Sequence, residues 1–348
     1  MKTNPLDQLK GICEQLLFRV ANLHKSFKHF FIETMICYLS ITGRVNFSQM
    51  PGSASRARVD ATERLAIFLT AVQTLLGKRK GRTPDYLAHM DDKDSLIGLY
   101  LRAFASVADK LRGLTDLVVA DAYFAKRTFV LGLECLAFNL VSRFRDDVRL
   151  RYLYNGPRAK RRGRPKKFDG DVDIKNPRED VFKKTTVKDG DSIVTLYFAK
   201  VYAVSLMRAV GAVIVVYDDP DKKTQVRKVY FSTDLTLSGE DIYWVYRSRF
   251  GIEFLYRDGK QFTGLTNCQA RNQNSLDFAF NASLTAINIA KALSVKSEQN
   301  LSVEDVKLLI HNTVMVQRLL STFGKTPNFN LNQKNIKELL FYGVKSAA

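Results

Sequence analysis

Apolar residues recur at helical spacing through "LKGICEQLLFRVANL" and again through "HFFIETMICYLSI", and Gly43 stops the second run. The pattern predicts helices over residues 1 to about 48. "MPGSASRAR", residues 50–58, has the composition of a loop and marks a join. Further on, "LVVADAYFAKRTFVLGLECLAFNLVSRFRDD" reads as a short buried strand, a helix to about Cys135 and a second buried strand that ends in charges. Asp121 then stands at the carboxyl end of the first strand, where open α/β sheets keep their ligand crevices. Strand-like runs at 192–204, 209–217 and 226–233 give a β-rich stretch between about 150 and 235. Ser238 with Asp241 forms a capping-box signature that opens a helix, another helix follows at about 275–293, and Ser302 with Asp305 opens a third that runs to about Leu320. There are no internal repeats.

The helix after Ser238 carries "YRSRFGIEFLYRDGK", with Tyr246, Arg249, Glu253 and Lys260 at offsets 0, 3, 7 and 14. At about 100° and 1.5 Å per residue these fall within roughly 60° of one another along about 21 Å, in one narrow stripe. Phe250 and Phe254 flank it on one side and Val245, Ile252 and Tyr256 on the other, with Trp244 and Leu255 behind. A helix apolar around most of its circumference is expected in a core, its single polar stripe turned to a site or paired internally.

Charge narrows the choice of partner. The 348 residues carry 54 Lys and Arg against 35 Asp and Glu, a formal charge of +19, which points to a polyanion: nucleic acid or an anionic membrane surface. The longest clear apolar run, Ala209 to Tyr217, is far shorter than the roughly 18 residues of a spanning helix, so no membrane segment is expected. The N-terminus offers no signal-peptide core, and the scattered Cys13, Cys37, Cys135 and Cys268 suit a reducing cytosol rather than a disulfide or zinc framework. His24, His29, His89 and His311 have neither metal-ligand spacing nor a nucleophile beside them.

The first constellation for chemistry is therefore acidic. Asp121 at a strand end and Glu253 on the stripe are carboxylates of the kind that hold hard divalent cations, and phosphoryl transfer on nucleic acid needs such ions. Solvated surface acids and an internal salt-bridge ladder are the competing explanations.

The spacing Y-x-x-R-x-x-x-E-x-x-x-x-x-x-K is also the signature of DDE transposases of the type-four insertion-sequence family of bacteria, matched here without a gap by Tyr246, Arg249, Glu253 and Lys260. "VADAYFAKRTFV", "LVSRFRDD", "YFSTDL", "IEFLYRDGKQFTGL" and "CQARNQNSLDFAFNASLTAINIAK" are similar to the same family. The likeness runs from about Phe68 to Lys291, and "FFIETMICYLSITGRVNFSQM" resembles it as well. The resemblance implies an α/β chain with a ribonuclease H-like (retroviral-integrase-like) core, a β-rich insertion and a helical N-terminal region. The expected organisation is a helical region over 1–50, contacting DNA or serving as a packing subdomain, and a first part of the core over 59–149. A basic β-rich insertion over 150–235, the catalytic helix and rest of the core over 236–295, and a C-terminal helical region over 296–348 follow.

By position the resemblance makes Asp121 and Glu253 catalytic and metal-binding, with Mg²⁺ or Mn²⁺ as the cofactor. Tyr246, Arg249 and Lys260 become contacts to the DNA backbone. It implies double-stranded DNA, transposon ends and target, as the partner, no membrane, a cytoplasmic and nucleoid-associated setting, and allows a homodimer in the DNA complex. One departure stands out. The family's first catalytic aspartate lies on a strand upstream of the second, and no such segment is found between "NFSQM" and Phe68, as though the chain were internally shortened. Asp60 in "VDAT" and Asp234 in "YFSTDLTLSGED" are the substitutes on offer, although Asp234 suits a turn or cap better. An inactive DNA-binding relic or regulator of transposition is the alternative. "RAKRRGRPKK", residues 158–167, contains Arg162-Gly163-Arg164-Pro165, which reads either as the core of an AT-hook entering the minor groove or as a basic loop on phosphates. "GKRKGR" at 77–82 is similarly ambiguous.

Overall fold

The computed structural model describes residues 4–18, 25–40, 96–157, 165–190, 192–219, 224–297, 301–322 and 334–345. Asp60, Arg162, Arg164 and the 77–82 run lie outside them. The chain divides into a helical unit, Met1–Leu76 with Phe250–Ala348, and an α/β unit, Gly77–Arg249. Its opening helices, α1 (Pro5–Phe18) and α2 (Lys25–Ser40), belong to the helical unit.

The α/β unit follows, with α3 (Leu96–Ala105), α4 (Ala108–Arg112), β1 (Leu117–Val119), α5 (Arg127–Cys135), β2 (Asn139–Arg143), β3 (Leu150–Leu153), β4 (Phe168–Asp171), β5 (Lys183–Asp189), β6 (Ser192–Ala203), β7 (Arg208–Asp219), β8 (Thr224–Ser232) and α6 (Gly239–Ser248). The described strands form one eight-stranded sheet in the order β1-β2-β8-β7-β6-β3-β4, with β5 also on β6. β1 and β2 are parallel, joined through α5, and the other pairs are antiparallel. The stretch expected as an insertion is thus continuous in hydrogen bonding with the β1–β2 pair.

β7 reads "RAVGAVIVVYDD", without polar alternation, because both of its faces are covered. Ala212, Ile214 and Val216 join Phe129, Leu133, Leu140 and Phe231 on one side, while Val213 and Val215 meet Val141, Ile242, Tyr243 and Tyr246 on the other. The capping box holds at the start of α6: Ser238 Oγ accepts from Asp241 N–H at 3.1 Å, and the Asp241 carboxylate accepts from Ser238 N–H at 3.2 Å. At Gly239 an added Cβ would come within 2.7 Å of the Phe198 Cβ, so only glycine lets α6 begin this close to β6.

The helical unit adds α7 (Phe250–Phe262), α8 (Gln273–Lys296), α9 (Val303–Thr322) and α10 (Lys334–Leu340). Leu9, Cys13, Met35 and Tyr38 from α1 and α2 pack with Ile287, Leu293, Val306 and Ile310 of α8 and α9. α8 is long and apolar enough, by length and composition, to cross a membrane, which the count of unbroken apolar residues did not anticipate. Its buried Ala282, Ala286, Ile287, Ala290 and Leu293 form part of this helical core, so burial among neighbouring helices accounts for its composition.

Candidate nucleic-acid site

The expected single helix beneath the stripe is two helices. Ser248 Oγ donates back to the Val245 carbonyl at 2.7 Å, and Arg249 N–H bonds Tyr246 O three residues back, which tightens the last turn and closes α6 before α7 begins. Tyr246 and Arg249 therefore belong to the α/β unit, and Glu253 and Lys260 to the helical unit. The expectation of a buried helix is also overturned. Trp244, Phe250, Ile252, Phe254 and Tyr256 are 41–52% exposed, and Glu253 and Lys260 are exposed, because α7 turns only Leu255, Asp258 and Gly259 inward. Periodicity counted apolar residues on every side, whereas one face is enough to seat the helix.

Asp121 lies two residues beyond β1, where the sequence placed it. Ala120 N–H bonds the Val141 carbonyl, continuing the β1–β2 ladder, and Ser142 Oγ donates to the Asp121 carbonyl at 2.9 Å. One side-chain oxygen, Oδ1, accepts from Tyr123 N–H at 2.9 Å and caps a single 3₁₀ turn, Ala122–Phe124. The residue is exposed.

Around the Tyr246 hydroxyl the α/β unit gathers charge. Tyr246 is 6% exposed, its ring 4.2 Å from that of Tyr230, and the Arg249 guanidinium lies 5.9 Å from its centroid. Burial raises the Tyr246 pKa, Arg249 and Arg143 act against that rise, and Asp121 adds to it, so all three charges act on this hydroxyl. Arg143 is a residue the sequence argument missed. It ends β2, opposite Tyr230 in register, with its Nε buried and its terminal nitrogen 3.4 Å from Asp146. The signal was present, since the second apolar run ends in charge at Arg143, just as the first ends at Asp121. Lys126 stands 4.0 Å over the Tyr123 ring, next to the Asp121 cap.

Asp234 is elsewhere. Its Oδ1 accepts from Thr236 N–H at 2.8 Å and from the Thr236 hydroxyl, a turn rather than a ligand arrangement. Thr233 N–H bonds Leu140 O, which sets Asp234 level with Asn139 and hence with Leu117, at the opposite end of the sheet from Asp121. Four residues of extended chain and two strand spacings separate them, about 13 Å along the strands and about 10 Å across, too far to share an ion.

A hard divalent cation takes six or more oxygens, some of them from water. Asp121 fits as one ligand. Among the described residues no group of three or more His, Cys, Asp or Glu side chains comes together, and in the α/β unit the groups about Asp121 are cationic and aromatic. From that unit Asp121 is the candidate ligand, with Arg143, paired to Asp146, and Arg249 in its surroundings.

A family model described as "Transposase DDE domain" matches residues 101–289, more than half of the chain. The chain belongs to this family. The transposase domain so defined begins in α3, ends in α8, and takes in Asp121, Arg143, Tyr246, Arg249, Glu253 and Lys260. Among the curated proteins no match was found. Membership of a transposase family implies DNA as the class of substrate.

Proposed function

We propose that this chain is a bacterial transposase that binds double-stranded DNA at the ends of a mobile element and cuts and joins strands by metal-dependent phosphoryl transfer. The observation that carries the reading is geometric and lies within a domain of the transposase family: the Arg249 guanidinium is 5.9 Å from the Tyr246 ring, Tyr230 bridges Tyr246 at 4.2 Å to Arg143 opposite it in register, and Ser142, next to Arg143, is bonded to Asp121. Arg249 and Arg143 suit bidentate contact with phosphate, and Tyr246, kept neutral by burial, offers a hydroxyl and a ring. Lys260 adds a point charge from α7, and Arg162 and Arg164 extend the basic surface by sequence. On the family resemblance Asp121 and Glu253 each offer a carboxylate to Mg²⁺ or Mn²⁺, which when bound supplies an activated oxygen and charge stabilisation at phosphorus. The ribonuclease H-like core, the nucleoid setting in the cytoplasm and the shortened first segment belong to the same proposal.

The second reading, a DNA-binding relic or regulator, is favoured by one observation: the described residues bring no third acid to Asp121. One experiment separates the two. Purified wild type and Glu253→Gln are assayed for binding and for Mg²⁺-dependent nicking of a duplex carrying the inverted repeats that flank the gene. An active transposase nicks as wild type and loses nicking in Glu253→Gln, with affinity kept within a few-fold. Binding without nicking under any divalent ion supports the relic, and failure to bind duplex DNA refutes both.

A further inference from the structure

Helix α6 carries Tyr246 in its final turn and Arg249 as its C-cap residue, so its rotation about its own axis decides where both groups point. Its first turn is fixed by the capping box and by the approach of Gly239 to Phe198. Its far end is held by the tip of the β5–β6 hairpin. Asp189 is paired with Ser192 across that tip, and Gly190 takes the positive φ of 62° that the turn needs. From there Asp189 Oδ2 accepts the Tyr243 hydroxyl at 2.7 Å and meets the Arg247 guanidinium at 2.7 Å. Tyr243 and Arg247 are four residues apart on one face of α6, and a single carboxylate grips both.

The grip continues along the sheet. The ring of Tyr230 lies 6.3 Å from that of Tyr243 and 4.2 Å from that of Tyr246, and the Tyr230 hydroxyl bonds the Tyr217 hydroxyl at 2.9 Å. Tyr243 is 0% exposed and the Asp189 side chain 19%, so the Tyr243–Asp189 bond is largely shielded from water and salt, whereas the Arg247 side chain is 39% exposed. Burial, followed by the bond to Asp189, pushes the Tyr243 pKa up to about 12, and burial pushes that of Tyr217 up to about 12, so both remain neutral donors at working pH.

We propose that Asp189 is a positioning residue for the phosphate-binding groups: by holding Tyr243 and Arg247 it fixes the rotation of α6, and with it Tyr246 and Arg249. The proposal rests on the transposase reading and extends it to a residue outside the set assigned to DNA or metal. The leverage is large. At a side-chain radius of about 6 Å, a 20° roll of the helix moves a group by about 2 Å, and misplacement by about 1 Å is enough to cost on the order of 100-fold in rate.

The test uses the full chain and its single tryptophan, Trp244, whose ring is 5.1 Å from that of Tyr243. Acrylamide quenching of Trp244 is measured in wild type, Asp189→Ala and Asp189→Asn, the last keeping an acceptor for Tyr243 and serving if the alanine variant does not fold. Binding to a random-sequence duplex is measured for Asp189→Ala, Arg249→Ala and the double variant. Quenching should rise in Asp189→Ala and less in Asp189→Asn. Asp189→Ala should weaken binding about tenfold, in the usual range for coupled neighbours, yet less than about twofold once Arg249 is already Ala. Unchanged Trp244 quenching, or losses that simply add, overturns the proposal. If the wild type binds no DNA the transposase reading falls, and the quenching measurement alone then decides whether Asp189 sets α6.

Discussion

Replacing Asp121 in two ways separates its structural work from its chemistry. Its Oδ1 caps the 3₁₀ turn through Tyr123 N–H, an acceptor role that asparagine fills as well as aspartate. Asp121→Asn should leave the melting temperature unchanged. Asp121→Ala removes the cap at an exposed position and should cost about 0.5–1 kcal/mol, equivalent to a fall of about 1–4 °C for a unit of this size. The chemistry should respond oppositely. Both variants remove the negative charge, and losing a metal ligand that supplies about 3 kcal/mol of transition-state stabilisation lowers the cleavage rate on the order of 100-fold. DNA affinity should hold or tighten by a few-fold, because a charge that repels phosphate leaves the neighbourhood of Arg143 and Arg249. Differential scanning fluorimetry reads the first pair of outcomes, and Mg²⁺-dependent nicking with a binding titration reads the second. Nicking by Asp121→Asn at the wild-type rate would refute the ligand assignment, and equal melting of all three proteins would refute the cap.

Lys307 is 5% exposed, donates to the Phe262 carbonyl, and has its pKa lowered by burial to about 8. Above that pH the unfolded chain holds the proton more tightly than the folded one, so stability should rise by about 1 kcal/mol between pH 8 and 9. That window closes where the Cys13 thiol, raised to about 12 by burial, begins to act in the opposite direction from its ordinary value of 9.0. Urea midpoints followed by circular dichroism should show the rise in wild type and not in Lys307→Met. In the sheet, Phe231 is 0% exposed and stacks on Phe144 at 4.0 Å, so Phe231→Ala should cost about 3–5 kcal/mol in urea unfolding followed by Trp244 emission. A loss below about 1 kcal/mol would show that the core closes over the gap.

Much of the α/β unit was legible because its signals are local. Short apolar runs bounded by charge gave β1 and β2, β-branched runs gave β6, β7 and β8 to within a few residues, and two serine–aspartate pairs marked the starts of α6 and α9. What the sequence hid depends on partners. The break at Arg249 is accompanied by a serine hydroxyl returning to its own helix and by a three-residue backbone bond, neither of which disturbs the apolar period. The sheet's continuity through β8 rests on register, as does the meeting of Tyr217, Tyr230 and Tyr243 from three separate elements. Arg143 is one of 54 basic residues until its place opposite Tyr230 singles it out.

β1 shows how a candidate ligand can be held with little sheet around it. Among the described residues it is an edge strand, three residues long and paired to β2, and Leu117, Val118 and Val119 are each only partly buried. An apolar edge is ordinarily a liability, limited here by its shortness. Among the described residues Asp121 nevertheless takes its position without a second neighbouring strand. The Ala120–Val141 bond carries the ladder past the strand's end, Ser142 fixes the Asp121 carbonyl from β2, and the cap to Tyr123 fixes its side chain. Two bonds to β2 and one within its own turn restrain the backbone and the side-chain rotation of a single residue. The same economy holds on α6, where Asp189 and Tyr230 set a helix from one end and one face. Both halves of this proposed site in the α/β unit are therefore placed by β2, β8 and the β5–β6 hairpin, which is how Asp121, Arg143, Tyr246 and Arg249 come to share one side of the unit although the sequence spreads them over more than a hundred residues.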